Sequence, residues 1–515
     1  MAANSVDPGD EKPISARNPV STRDLDTAAA FTTSKKGILN PAEALRIRKK
    51  IDKHIMPLMC ILYLCVVTFV ELRLHQPPLT EQLGYNTWTS RRSGMLLLWA
   101  SGRESAHLTT NEYNWLGTIF YLSYLAFEFP QSLCLQRFPV AKWMLFNISL
   151  WAVALCAHAA WSITAGFMIV TSMFYTRNEQ TVRVGYWFLM NGVAQIISGF
   201  VAFGTLHIRT GSFEAWQWQA PSLKTPFGES MMFLFPDSST NACFLTPEER
   251  ATAVQRLKEN QTGVENKHFK KEQLIEALTD PKTWLFALFA ALENVPNSLS
   301  NQRQIIVSSF GFTRLQTTLL GCVNGLIEIV TIWTGVTIAS RIPNSRAYVS
   351  FAYKIPMILA LCLINFLPWR YKIGLLFAQW VTGIGTTAFV LSLSWISSVT
   401  DGHTKRVTVN AITLSAYCIG NAAGPFMWKA KYQPRDHVPW IVIRICNTSC
   451  MALLLMVRFL LSTENGRRDR EPPDETYENI YIERVGKSGV TELVKVDKEF
   501  LDLTDIQNRD FRYVL

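Results

Sequence analysis

The chain has 515 residues, of which 49% are hydrophobic and only 17% charged, with a formal net charge of +10. So low a charge content over this length argues against a soluble globular chain and makes a membrane the better solvent. The positive excess does not read as a nucleic-acid surface, because the Lys and Arg residues gather in short segments beside apolar runs, the way membrane topology is written.

Residues 1–45 are polar, without an apolar signal core, which predicts a disordered cytoplasmic tail. The first span is predicted at Ile55 to Val70, after the basic run Arg46, Arg48, Lys49, Lys50 and Lys53, and this places the N-terminus on the cytoplasmic side. The second covers Trp115 to Leu135 and the third Trp143 to Trp161, with Arg137 and Lys142 between them; a fifth follows at Gly185 to Ile208. Arg137 with Lys142, and Arg177 with Arg183, both read as cytoplasmic. Two crossings must then fit into the 36 residues Ala141 to Thr176, where each needs about 20. The fourth span is therefore a stub at Ser162 to Tyr175. The sixth is largely missing, since Arg209 to Pro236 holds no apolar run longer than MMFLF at Met231.

The segment 237–282 is a polar central linker, in which Pro247 to Asn260 predicts a helix behind the N-cap Thr246. Six further spans are expected near Thr283–Asn301, Thr317–Ile338, Ala347–Leu367, Ile373–Val399, Val409–Met427 and Ile441–Leu461. Basic residues at alternate connections (Arg341 and Arg346; Lys405 and Arg406; Arg467, Arg468 and Arg470) mark the cytoplasmic ends. The organisation is thus an incomplete N-terminal bundle over 46–236, the linker, a C-terminal bundle over 283–462 and a cytoplasmic tail over 463–515. Nine of the ten cysteines lie in apolar spans and show no disulfide or metal spacing.

An ionisable side chain inside a span costs roughly 2.5–3.5 kcal/mol on insertion scales, so each is a functional candidate. Glu71, Glu128, Glu293 and Glu328 are the candidate proton-coupling carboxylates, with Lys354 and Arg444 either attracting an anion or snorkelling to the surface. Glu128 near a helix end also suits a plain hydrogen-bonding role between helices two and eleven. In ALENVPNSLSNQ, Pro296 interrupts a helix and frees backbone groups, which favours Asn294, Asn297 and Asn301 as substrate-cavity residues. Asn324 shares a face with Glu328, and Asn191 forms a second i, i+4 polar pair with Gln195; interhelical hydrogen bonding is the plainer reading of that pair. Glycines near Gly383 and Gly420 permit close helix approach.

Long stretches carry a resemblance: LTTNEYNWLGTIFYLSYLAFEFPQSLCLQRFPVAKW from Leu108, GFMIVTSMFYTRNEQTVRVGYWFLMNG from Gly166, FLTPEERATAVQRLKENQTGVENKHFKKEQLIEALTDPKTW from Phe244, SWISSVTDGHTKRVTVNAITLSAYCIGNAAGP from Ser394 and LDLTDIQNRDFRYVL from Leu501. On these the chain resembles the fungal allantoate permease family, the anion:cation symporter branch of the major facilitator superfamily, over most of Arg46 to Arg470 and again in the tail. The resemblance implies an all-α membrane protein of two six-helix bundles. It implies proton-coupled uptake of a small organic anion by alternating access, at a plasma membrane, by a monomer without cofactor and with no nucleic-acid partner. It also raises the substrate reading of Asn191 and Gln195. LQRFPVAKW and ASRIPNSR resemble relics of the family's cytoplasmic gating loop, whose Arg and Lys pair with acidic groups or helix ends.

The resemblance breaks after Thr68, between Trp161 and Ser162, and from Gln219 to Met232, where the physical anomalies also fall. A faulty gene model or degraded gene accounts for these breaks, with a genuine variant of fewer helices as the alternative. Because the family's coupling groups in helices one and four are affected, weak transport by the chain as written is expected. A membrane enzyme would show clustered histidines or a phosphate-cradling loop, which this sequence lacks. A non-transporting nutrient sensor remains the other functional class.

Overall fold

In a computed structural model the chain is described over residues 40–74, 118, 125, 130, 134, 143, 159–205, 242–257, 269–432, 435–472, 481–485, 491–495 and 501–515. The expected sixth span lies outside the described residues, as do Glu128 and most of the second and third spans. Helix α1 (Pro41–Leu74) starts with Pro at its first position, and the Asn40 Oδ1 accepts from the Ala42 N–H at 3.0 Å. It begins ahead of the predicted tail boundary and runs through the basic segment. Ile47, Ile51, Ile55, Met59 and Leu62 recur every three or four residues and form one buried stripe. That stripe packs in one core with Phe167 and Phe174 of α2 (Ala159–Phe174) and Trp187 of α3 (Arg177–Thr205).

The linker helix α4 (Pro247–Leu257) begins where the sequence placed it. The Thr246 hydroxyl accepts from the Glu249 N–H, and the Glu249 carboxylate accepts from the Thr246 N–H, a reciprocal capping box. The basic run of α1 carries a second role here: Lys50 pairs with Glu249 at 2.6 Å and Arg48 with Glu179 at 3.4 Å. Linker and first half are thereby tied together on one side of the membrane.

The second half runs through α5 (Lys271–Thr279), α6 (Pro281–Asn294), a 3-10 turn at Val295–Asn297, α7 (Ser298–Ser309), α8 (Arg314–Arg341), α9 (Arg346–Phe366), α10 (Lys372–Val381), α11 (Thr386–Val399), α12 (His403–Ala423) and α13 (His437–Arg468). Pro296 sits in the 3-10 turn and divides the seventh span into α6 and α7, as its missing N–H requires. Among the described residues five helices are long and apolar enough to cross a membrane, at Glu179–Gly204, Leu315–Arg341, Arg346–Phe366, Lys372–Val399 and His437–Arg468. The membrane domain is all-α. Strands β1 (Tyr481–Val485) and β2 (Thr491–Lys495) add a short antiparallel hairpin in the C-terminal segment, an element absent from the sequence reading.

The two halves meet along α3 and α8. Gly185, Gly192 and Gly199 recur at intervals of seven and all face α8: a Cβ placed on Gly192 would lie 2.6 Å from the Gly325 carbonyl oxygen, and one on Gly325 2.5 Å from that of Gly192. Backbone touches backbone here, which only glycine allows. Gly325→Val is expected to cost about 1–3 kcal/mol, the range for overpacking a close contact, read as a lower unfolding temperature in detergent. Gly204→Val, at a position where a Cβ meets nothing within 4 Å, is the matched control. Gly420 likewise abuts the Ala291 carbonyl, and in the stretch near Gly383 it is Gly385 that abuts the Met357 side chain of α9, Gly383 itself having open space.

Candidate functional site

Two polar clusters lie near the middle of the membrane-spanning helices. The first joins the halves. Glu328, about midway along α8 and 5% exposed, accepts from the Asn191 Nδ2 at 2.7 Å and the Gln195 Nε2 at 2.6 Å, both on α3. Three candidates from the sequence, two of them more than 130 residues from the third, thus form one unit. Asn324, one turn away on α8, is buried; its Nδ2 donates to the Gly321 carbonyl and its Oδ1 has no hydrogen-bond partner among the described residues.

The second cluster lies within the C-terminal half. Lys354 of α9 is 0% exposed, and its Nζ donates to both oxygens of Glu293 at 2.5 Å and to the Asn447 Oδ1 of α13 at 2.9 Å. Snorkelling is excluded for Lys354, because the ammonium points into the bundle. Glu293 is correspondingly an ion-paired carboxylate and not an isolated one. The pair is some 18 Å along from the start of α6, at a rise of about 1.5 Å per residue. Carrying two charges to that depth is costly, so an ion pair with a third polar partner is a functional constellation before it is a stabilising one.

The remaining candidates divide. Asn297 donates to the Asn421 Oδ1 of α12 at 2.7 Å and links the broken seventh span to the eleventh. Asn294 is buried, and its Nδ2 donates to the Ala290 carbonyl of its own helix at 2.7 Å. Asn301 and Glu71 occupy helical positions whose side chains fall outside the description, and Glu128 falls outside altogether. Arg444 is half-buried and reaches the Cys362 Sγ. Arg346, the last residue of ASRIPNSR, was expected to pair with an acidic group or a helix end; it donates to the Ser398 hydroxyl in the last turn of α11 at 2.7 Å and to the Arg177 carbonyl at the start of α3 at 3.1 Å. Asn447 was missed: a single Asn in a long apolar helix gives no spacing signal, although its depth in α13 could have marked it.

A third ionic group closes the linker side. Asp505 accepts from Lys282, from Lys405 at 3.0 Å, from the Tyr513 hydroxyl at 2.6 Å and from the Asp401 N–H at 3.2 Å. Burial alone would raise its carboxyl, but Lys282 and Lys405 hold it well below the usual carboxylate range. Asp401 goes the other way. Burial pushes its carboxyl up to about 7 against the pull of Arg406 and Arg177.

Helices of membrane-spanning length, two halves joined at a glycine seam and charged clusters at the midplane define a polytopic solute transporter and not an enzyme. The sequence pattern of the Major Facilitator Superfamily matches residues 76–425. The thiamine pathway transporter of Saccharomyces cerevisiae is 30% identical over 492 residues, covering 91% of this chain and 86% of that one. The allantoate permease of the same yeast is 30% identical over 532 residues, covering 95% and 90%. The fold is shared with the proton:xylose symporter of the superfamily, at a TM-score of 0.55 and 10% identity over 79% of this chain and 96% of that one. The chain belongs to the Major Facilitator Superfamily, in its fungal allantoate permease family.

Proposed function

We propose that the protein takes up a small organic anion together with a proton, by alternating access from the plasma membrane, with both termini and the linker cytoplasmic. The observation that carries this reading is Lys354, fully buried and shared between Glu293 and Asn447. One ammonium serves two anions in turn. When Glu293 is ionised it holds Lys354; when a proton neutralises Glu293, Lys354 turns to the carboxylate of the substrate, so proton and anion enter as a neutral set. Glu328 holds the halves through Asn191 and Gln195, and Asn297 and Asn324 supply neutral hydrogen-bonding groups for the rest of the ligand. Allantoate, ureidosuccinate and vitamin-type carboxylates are the substrate class, in keeping with the allantoate permease among the relatives.

The test is uptake by the purified full chain in liposomes, with these anions and an imposed pH gradient. Accumulation driven by an acidic exterior is expected, at a low rate, because the breaks in the first half reach the family's coupling groups in helices one and four. Glu293→Gln, which leaves Lys354 without its carboxylate, is expected to exchange anion at a rate independent of pH and to lose accumulation. A Glu293→Gln protein that accumulates like the parent overturns the coupling role. A parent that binds none of the anions, read by thermal shift in detergent, overturns the substrate class.

A further inference from the structure

The motif LDLTDIQNRDFRYVL takes no part in the proposed chemistry, yet residues 501–515 are among the most thoroughly anchored in the molecule. Thr504, Asp505 and Phe511 are 0% exposed. Asp505 sits on Lys282 and Lys405, at the starts of α6 and α12. Arg468, near the end of α13, donates to the carbonyls of Asp505 at 3.0 Å and Phe511 at 2.9 Å. Asn465 and Tyr513 exchange two hydrogen bonds, at 2.8 and 2.9 Å, and the Trp395 indole donates to the Val514 carbonyl at 2.7 Å. The segment is therefore a fixed part of the C-terminal half.

Its outer ring faces the other half. The Arg177 guanidinium, at the start of α3, lies 3.8 Å from the centroid of the Phe511 ring. Beside it the Arg177 carbonyl accepts from Arg346, and the Ser394 hydroxyl of α11 reaches the Thr181 hydroxyl of α3 at 3.4 Å. These contacts lie at the linker end of α3 and join the halves there. We propose that residues 501–515 are a working part of the linker-side gate, with Phe511 the seat on which Arg177 rests when that side is closed. The Asp505 cluster fixes the seat within its own half, so that the Arg177–Phe511 contact parts when the halves separate. Phe511 and Arg177 are positioning residues for the transport cycle and touch no substrate. The inference rests on alternating access but not on the identity of the anion.

The test therefore reads gate opening directly. Ser394 is fully buried between α11 and α3, and Cys450 is fully buried in the core of the C-terminal half. In the full chain carrying Ser394→Cys, maleimide labelling is followed by peptide mapping, with native Cys450 as the report of unfolding. Phe511→Leu keeps an apolar side chain in the C-terminal core but removes the ring; Arg177→Gln leaves the segment untouched. Either change is expected to raise labelling at position 394 about five- to thirtyfold, the population shift equivalent to losing a desolvated cation–π contact of about 1–2 kcal/mol, while Cys450 stays unlabelled. Unchanged labelling at 394 in both variants overturns the proposal. So does a parallel rise at Cys450, which would make the segment a structural prop only. Because no substrate is present, neither result depends on the anion-uptake reading.

Discussion

Lys354→Met is expected to abolish anion uptake and to destabilise the folded protein by about 3–5 kcal/mol, the cost of stranding one member of a buried ion pair. Met matches the length of the Lys stem, so the loss is of charge and not of packing. What remains is Glu293, with Asn447 as the nearest neutral group that Lys354 had gathered. The double variant Lys354→Met with Glu293→Gln removes both charges and is expected to recover most of the stability, since a buried pair replaced as a unit is often close to neutral. It should not recover binding. A charge-assisted hydrogen bond to the substrate carboxylate is worth about 1.5–3 kcal/mol, so affinity falls by about ten- to over a hundredfold. Thermal unfolding in detergent reads the first effect and substrate binding the second. A double variant that binds the anion like the parent would remove Lys354 from the site.

Asp505→Asn is the other large effect. The carboxylate accepts four donors, two of them lysines, and the amide puts an N–H₂ where an acceptor is needed. Asp280 and Glu276 still reach those lysines, so the expected cost is about 3 kcal/mol, the lower end for a broken buried pair. The folded-state carboxyl lies below its ordinary value of 3.8. Its stabilisation is therefore complete above that value and is lost as the pH falls below it. Two measurements check this: the unfolding temperature, and tryptic cleavage at Arg509 and Arg512, which requires the segment to lift away. The Asn variant should be cut faster at neutral pH, and its stability should lack the parent's acid dependence at this site.

Much of the fold was legible because the apolar runs and their basic flanks are local signals. The predicted spans of the second half coincide with α6 to α13 to within several residues at their ends. Glu293, Glu328, Lys354, Asn191 and Gln195 were legible one by one, since an ionisable or amide group at membrane depth stands out. Their pairing was not. Glu293 and Lys354 are 61 residues apart, and only packing shows that the ammonium turns inward. The bond from Asn294 to the Ala290 carbonyl of its own helix was not legible either, since polarity beside a proline does not say which partner the amide takes. Residues 501–515 were recognised as a motif and still read as a tail. An irregular polar segment has no hydrophobic period, and its buried Asp505 makes sense only beside lysines from two other helices.

The interval of seven between Gly185, Gly192 and Gly199 also sets how α3 can change length. One residue inserted between Gly192 and Gly199 would rotate everything beyond it by about 100°, the angle per residue of an α-helix. Gly199 would leave the seam and Ser198 would take its place against Cys322, which a Cβ at Gly199 would already meet at 2.5 Å. The break in this chain's resemblance after Trp161 lies ahead of the seam, and α3 reaches α8 in full register. Within α3 it is the positions of Gly185, Gly192 and Gly199, and not their large neighbours, that have no room for a side chain.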